Sequence, residues 1–201
     1  NTAIFSLVHA VLMRPLPFVE PDRLVVVWED TTARGGTATS EATPGNFRDW
    51  KTENHVFDDM AALAGRMTST LTGHGDPERL SGARVTGSLF STLGLPPIAG
   101  RTIVPDDDQP GAEPVVVLSE GLWRRRFGAD LAVVGRTITL DDVPRTVVGI
   151  VPGHFQFPEK GTDVWVPAAF TAEQLSERSL WYLYVVARLK KDESLVQARD
   201  D

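Results

Sequence analysis

The sequence predicts an α+β fold, in which strands and helices follow one another without a regular repeat. Two apolar runs, Arg23–Glu29 (RLVVVWE) and Pro114–Leu118 (PVVVL), predict strands that are buried on both faces. The segment Val134–Pro158 alternates apolar and polar residues on either side of a polar turn, and therefore predicts a β-hairpin. Helices are predicted after Thr43 and Ser119, because each of these hydroxyl residues can cap a helix N-terminus.

The remaining elements follow from the same periodicities. The helix that begins at Pro44 places Phe47 and Trp50 on its inward side. Thr31–Thr43 is polar and small, which predicts a mobile loop, and Leu95–Pro114 is rich in Pro, Gly and Asp, which predicts a boundary. Further strands and helices are predicted at Phe57–Leu71, Glu78–Thr86, Ser88–Leu93, Asp163–Pro167, Ser179–Lys190 and Ser194–Asp201.

The N-terminal segment Asn1–Met13 is almost wholly apolar. It is shorter than the roughly 20 residues that cross a bilayer, and it lacks the basic flank and cleavage site of a signal peptide. Two interpretations remain open: a buried core helix, or the outer end of a transmembrane helix that Arg14–Pro17 terminates. Both predict an apolar helix over Thr2–Met13.

Composition excludes several classes of function. The net charge of −7 argues against nucleic-acid binding, which needs a dominant basic face. The absence of cysteine excludes a disulfide framework and a thiolate metal site, and leaves the cellular compartment open. Neither GxxxxGK[ST] nor GxGxxG occurs, so the sequence predicts no nucleotide-phosphate loop.

No metal ligands are predicted. The three consecutive carboxylates of Asp106–Asp108 point in different directions and lack the glycine and terminal glutamate of a calcium loop, which favours a solvated loop. The four histidines have no HxH or HxxxH spacing that would indicate a zinc site. They are His9, His55, His74 and His154.

No catalytic or cofactor-binding residues are predicted either. Ser119 lies between a strand and a helix like the nucleophile of GxSxG, but the leading glycine is absent, which favours a helix cap. Arg124–Arg126 lie between Trp123 and Phe127, whose spacing predicts a core-facing stripe. The arginines therefore predict a solvated helix face and not a lipid or nucleic-acid patch.

Three stretches carry a family resemblance: NTAIFSLVHAVLMRPLP, VVVLSEGLWRRRFG and VGRTITLDDVPRTVVGIVPGHFQFP. Together they resemble the extracytoplasmic core domain of macrolide-exporter-type ABC permeases, whose membrane helices are of the cell-division-permease type. The resemblance implies two lobes. Residues 21–93 plus 179–201 would form a porter-like α/β lobe, residues 94–178 an inserted, mixed β-rich lobe, and residues 1–20 the end of a transmembrane helix and its exit linker.

The same resemblance implies a non-catalytic function without a cofactor. The domain would couple ATP-driven motion of membrane helices to efflux or to mechanical work in the envelope. It implies flanking membrane helices, an ATPase on a separate subunit or domain, a homodimer or pseudo-dimer, and an envelope partner protein. The location would be the periplasmic side of the bacterial cytoplasmic membrane. The alternative is a soluble envelope hydrolase or glycan-binding domain, with Asp106–Asp108 and His154 or Trp165 around a cleft.

The two-lobe arrangement makes a specific prediction about strand pairing and cores. Val25–Trp28 and Val185–Ala187 are expected in one sheet, and Val115–Leu118 and Val147–Val151 in the other lobe. The core of the inserted lobe is expected to be formed by Trp123, Phe127, Phe155 and Phe157.

Overall fold

The computed structural model describes residues 3–6, 18–73 and 75–200. These residues form ten strands and four α-helices in a mixed sheet, which confirms the α+β class. None of the helices in these ranges is long and apolar enough to cross a bilayer. The strands are β1 (Ala3–Ser6), β2 (Leu24–Glu29), β3 (Phe57–Thr72), β4 (Glu78–Val85), β5 (Ala99–Gly100), β6 (Val115–Ser119), β7 (Thr137–Leu140), β8 (Val143–Val151), β9 (Val164–Pro167) and β10 (Tyr184–Leu189). The helices are α1 (Pro44–Glu53), α2 (Leu89–Leu93), α3 (Glu120–Phe127) and α4 (Leu195–Asp200).

The apolar N-terminal helix is not found where the chain can be described. Ala3–Ser6 instead forms β1, antiparallel to β2, with Ala3 opposite Glu29 and Ser6 opposite Val26. The physical reason is that β2 offers unpaired backbone groups along its outer edge, and an extended segment satisfies them as a helix cannot. The predicted helix is therefore wrong over these residues, and the rest of that prediction lies outside the described ranges.

One hydrogen-bonded sheet runs in the order β1-β2-β10-β3-β4-β9-β6-β8-β5, and β7 pairs with both β3 and β8. As predicted, β2 and β10 are neighbours, with Val185 opposite Val27. The sheet then continues through a parallel pair, β4 with β9, in which Gly82 lies opposite Val164. The prediction that β2 and β6 lie in separate sheets is therefore wrong, because β9 bridges them. The division at residues 94 and 178 remains a prediction.

The described core has two faces along β10. Val185 and Ala187 pack on the side of α1, together with Phe47, whereas Val186 and the partly buried Tyr184 pack on the side of α2. The two faces follow from the period of two of a β-strand, which points successive side chains to opposite sides. The paired strand β2 is buried on both faces as well, which its continuous apolar run predicts. The strand β10 is shorter than the predicted Ser179–Lys190, because residues 179–182 form a loop.

The four aromatic residues expected in one core lie in two. Trp123 and Phe127 pack with β6, β7 and β8, while Phe155 and Phe157 pack with α2 and Trp165 on another side of the sheet. Phe155 lies 5.2 Å from Trp165 between ring centroids. The single-core prediction is wrong because the chain, after β8 ends at Val151, turns onto the face that carries α2.

The helix cap at Thr43 and the turn of the hairpin are found where the sequence predicts them. The Thr43 hydroxyl accepts a hydrogen bond from the Asn46 N–H (3.2 Å) and so caps α1. The β7–β8 turn has positive φ at Asp141 and Asp142, +47° and +63°, as a type I′ hairpin requires. The Asp141 carboxylate also accepts from the Thr70 N–H (2.8 Å), which fixes the hairpin on the far end of β3.

The loop that precedes α1 is tied down at its far end. Backbone hydrogen bonds join Ser40 to Glu29, and the Ala42 N–H donates to the Leu183 carbonyl (2.9 Å). The loop therefore closes over the ends of β2 and β10 that lie away from Leu24.

Candidate functional site: the junction of the incoming and outgoing segments

The strand β2 begins, and the strand β10 ends, at adjacent points of the sheet. Leu24, the first residue of β2, lies opposite Arg188, the penultimate residue of β10. The segment 18–24 that leads into β2 therefore lies beside the end of β10. We call the incoming segment 18–24 together with Arg188 and Leu189 the junction.

Arg23 joins the incoming segment to the end of β10. Its Nε and Nη2 atoms donate to the Leu189 carbonyl at 2.8 and 2.5 Å. Its Nη1 atom donates to the Glu20 carboxylate at 2.5 Å, and Nη2 also pairs with Asp58 at the start of β3. The planar guanidinium fork thus holds three chain segments in one geometry.

Arg188 makes the reciprocal connection and is only 8% exposed. Its Nε donates to the Thr92 carbonyl of α2 (2.7 Å), and its Nη1 to the Glu20 carbonyl (3.4 Å). Burial lowers the pKa of Arg188, and the positive charge of Arg23 lowers it further. Burying an arginine is costly, and these two carbonyls offset part of that cost.

Close packing reinforces these polar contacts. Gly94 ends α2 with φ +68°, and a Cβ at this position would lie 2.7 Å from the Cβ of Val19. Phe18 packs edge-on against Phe155, with 6.2 Å between the ring centroids. The incoming segment is thus docked on α2 and on the aromatic core before β2 begins.

Gly94→Ala is expected to destabilise the domain by about 2–4 kcal/mol, because a left-handed alanine costs about 1 kcal/mol and a forced contact with Val19 adds 1–3. The matched control is Gly128→Ala, which ends α3 with φ +60° and has no heavy atom within 4 Å of its Cβ position. This control should lose only about 1 kcal/mol. Urea unfolding of both variants measures the difference, and equal losses would show that Val19 is not docked.

Comparison with known proteins decides the class of this domain. The family model of the MacB-like periplasmic core domain matches residues 1–201. The chain belongs to this family. It is a periplasmic domain of the kind that MacB-like ABC transporter permeases carry, and the comparisons indicate no enzyme family. No curated protein sequence matches the chain significantly.

Solved structures share the fold of this MacB-like domain. The periplasmic region of MacB from Actinobacillus actinomycetemcomitans has a TM-score of 0.59 at 15% identity, over 88% of this chain and 78% of that one. A domain of a putative permease from Porphyromonas gingivalis has a TM-score of 0.63 at 18% identity, over 88% of this chain and 79% of that one. The extracellular domain of the noncanonic ABC-type transporter YknZ from Gram-positive bacteria has a TM-score of 0.54 at 14% identity, over 79% of this chain and 78% of that one.

The acidic cluster of this MacB-like domain has structural partners. Arg101 binds both carboxylate oxygens of Asp107 (2.5 and 2.8 Å). Burial of Asp107 would raise its pKa, but the hydrogen bonds from Arg101 and from the Val104 N–H outweigh this effect, so the pKa lies below its ordinary value. Asp108 accepts from the N–H groups of Gly87 (2.9 Å) and Ala169 (2.6 Å). Within the described ranges no group of three or more His, Asp or Glu side chains is placed to hold a metal ion. His9 and His74 lie outside these ranges.

The remaining candidate residues on α3 also have structural roles. Ser119 accepts a hydrogen bond from the Leu122 N–H (3.1 Å) and is the N-cap that the sequence favours. Arg124 pairs with Glu120, and Arg125 pairs with Glu78 and Asp163 at 2.8 and 3.0 Å. Arg126 is more buried than the predicted solvated face allows, because it lies against the β3–β4 turn.

Three residues of the alternative glycan-binding or hydrolytic cleft, Trp165, Asp107 and Asp108, are engaged within the domain. Trp165 is fully buried, and its indole Nε1 donates to the Phe157 carbonyl (2.9 Å). It therefore cannot offer a ring face to a sugar. Asp107 and Asp108 are already engaged with backbone and arginine donors.

Sequence reasoning missed the junction. Its key atoms are backbone carbonyls of Leu189, Thr92 and Glu20, which no residue type reveals. One signal was present in the sequence: Arg188 lies two residues after Val186, so a charged side chain falls on the same face of the strand as a buried valine.

Proposed function

We propose that this domain transmits movement from membrane helices to the periplasmic side of an ABC transporter. The observation that carries the proposal is the junction, where the incoming segment and the end of β10 are bound to each other by Arg23 and Arg188. Two membrane segments attached at such adjacent points move the domain as one body when they move together.

A continuous path from the junction to the far side of the domain supports this proposal. At one end of β3, Phe57 lies opposite Leu189; at the other, Leu71 lies opposite Leu140 of the β7–β8 hairpin. The 16 residues of β3 span roughly 50 Å at about 3.3 Å per residue. A displacement at the junction therefore reaches the distant hairpin through one hydrogen-bonded strand.

The proposal extends to partners and location. The domain would lie on the periplasmic side of the cytoplasmic membrane, connected to it by flanking membrane segments and driven by an ATPase on a separate subunit or domain. Two copies would form a dimer in the membrane. An envelope partner is supported by the exposed Leu180 and Trp181, which lie at the end of β10 opposite the junction.

The test places a nitroxide label on the distant hairpin of the permease, assembled with its ATPase in membranes. The described domain has no cysteine, so Asp142→Cys at the exposed hairpin turn gives one label site per copy here. We expect electron–electron distance measurements to show an inter-copy distance that changes between nucleotide-free and ATP-trapped states. The same measurement in Arg23→Ala is expected to lose most of that change.

The matched control is Arg136→Ala, which removes an exposed arginine that pairs with Asp130 (3.5 Å), away from the junction. This control should keep the full change in distance. An unchanged distance between nucleotide states in the unmodified protein contradicts coupling, and an equal change in Arg23→Ala contradicts the role of the junction. The absence of any inter-copy signal contradicts the dimer.

A further inference from the structure

A cavity lies away from the junction, between the sheet and the loop that precedes β6. Its volume is about 300 Å³, at the lower end of the range for small-molecule sites. Two guanidinium groups line it, from Arg84 of β4 and Arg145 of β8, which are distant in sequence. Its apolar wall is formed by Met67, Val166 and Pro167. We call this cavity the arginine pocket.

Arg145 forms no ion pair within 4 Å in the described part of the structure, although Asp141 of the hairpin turn lies near enough for its charge to act on it. Its Nε is buried and has no hydrogen-bond partner there. Burial lowers the pKa of Arg145 and the charge of Arg84 lowers it further, while the charge of Asp141 raises it in part. A half-buried, unpaired guanidinium destabilises the folded state, so a fold that retains it leaves donors free for an external acceptor.

Arg84 has unused hydrogen-bond donors in the same pocket. Its Nη2 donates to the Ala168 carbonyl, and the described residues offer it no carboxylate. Asp107, which also lines the pocket, is already bound through both oxygens by Arg101. The pocket therefore contains two cations whose donors are mostly unused, and one free acid, the exposed Glu113, in its lining.

We propose that the arginine pocket binds the carboxylate of a small organic acid that carries a short apolar group. The forks of Arg84 and Arg145 match the two oxygens of a carboxylate, and the apolar wall accommodates the hydrocarbon part. An organic acid is favoured over inorganic phosphate because phosphate has no hydrocarbon group to contact Met67, Val166 and Pro167. The site is distinct from the junction and does not depend on the proposed function.

The test is an NMR titration of the 201-residue chain, labelled with ¹⁵N, with hexanoate, hexanamide and inorganic phosphate as probes. Hexanoate is expected to shift the amide signals around Arg84, Arg145 and Ala168 in a saturable manner. Hexanamide has the same size without the charge and should bind at least about tenfold more weakly, because charged hydrogen bonds are lost. Equal binding of hexanamide, or tighter binding of phosphate, overturns the proposal.

Arg145→Met should weaken hexanoate binding about tenfold while the melting temperature stays the same or rises, because an unpaired buried cation is replaced by an apolar side chain. Arg136→Met, outside the pocket, is the control and should bind as the unmodified chain does. Undiminished binding by Arg145→Met overturns the proposal. Should that variant not fold, Arg84→Met decides, since it removes the other fork from a more exposed position.

Discussion

Trp165→Ala is expected to lower the free energy of unfolding by about 3–5 kcal/mol. Trp165 is 0% exposed on β9, packs against Phe90 and Phe155, and donates to the Phe157 carbonyl. The truncation leaves a cavity in the middle of the sheet and a carbonyl without its donor. Because small domains are stable by only about 5–15 kcal/mol, urea unfolding measures this readily.

The matched control is Trp181→Ala, which removes the same side chain from a loop where it is 40% exposed. Its effect on the free energy of unfolding should stay within about 0.5 kcal/mol. Similar losses for the two variants would show that Trp165 is not at the centre of the core. Trp181→Ala also serves the proposed function, because it tests the surface offered to an envelope partner without weakening the fold.

Trp123→Ala is expected to cost about 3–5 kcal/mol as well, through a different core. Trp123 is 7% exposed and packs with the β6, β7 and β8 side chains, and its indole Nε1 donates to the Asp130 carbonyl (3.0 Å). The exposed neighbour Arg124 provides the control: Arg124→Ala removes a surface ion pair with Glu120 and should cost under about 1 kcal/mol. A loss below 2 kcal/mol for Trp123→Ala would contradict its place in the core.

The milder pair Trp165→Phe and Trp123→Phe tests whether the two cores are independent. Since the residues belong to different clusters, their effects should add within about 0.5 kcal/mol. A single merged core, as the sequence alone suggested for the four aromatic residues, would give a larger deviation from additivity.

Local structure was predictable because its causes lie within a few residues. Thr43 and Ser119 cap their helices as the sequence predicts, and the hairpin turn has the left-handed residues that its two aspartates tolerate. The period-two alternation along β10 likewise separates the side chains that face α1 from those that face α2. The family resemblance was predictable from the same hairpin and is confirmed by the family match.

Long-range pairing was not predictable from periodicity. Gly82 and Val164 are neighbours in the sheet although they are far apart in sequence, and a continuous apolar strand such as β9 fits many positions in a sheet. The prediction of two separate sheets failed at this pair. The junction was missed for a related reason: its bonds run from arginines to backbone carbonyls, whereas the candidate residues were chosen for side chains typical of catalysis or metal binding.

The pairing of β2 with β10 has a mechanical consequence. The two strands are antiparallel and meet the junction at Leu24 and Arg188. A force that separates segment 18–24 from the end of β10 therefore loads the inter-strand hydrogen bonds one after another, beginning at this pair. The hydrogen bonds of Arg23 and Arg188 are the first to resist such a force. A force that displaces both segments in the same direction does not load these bonds.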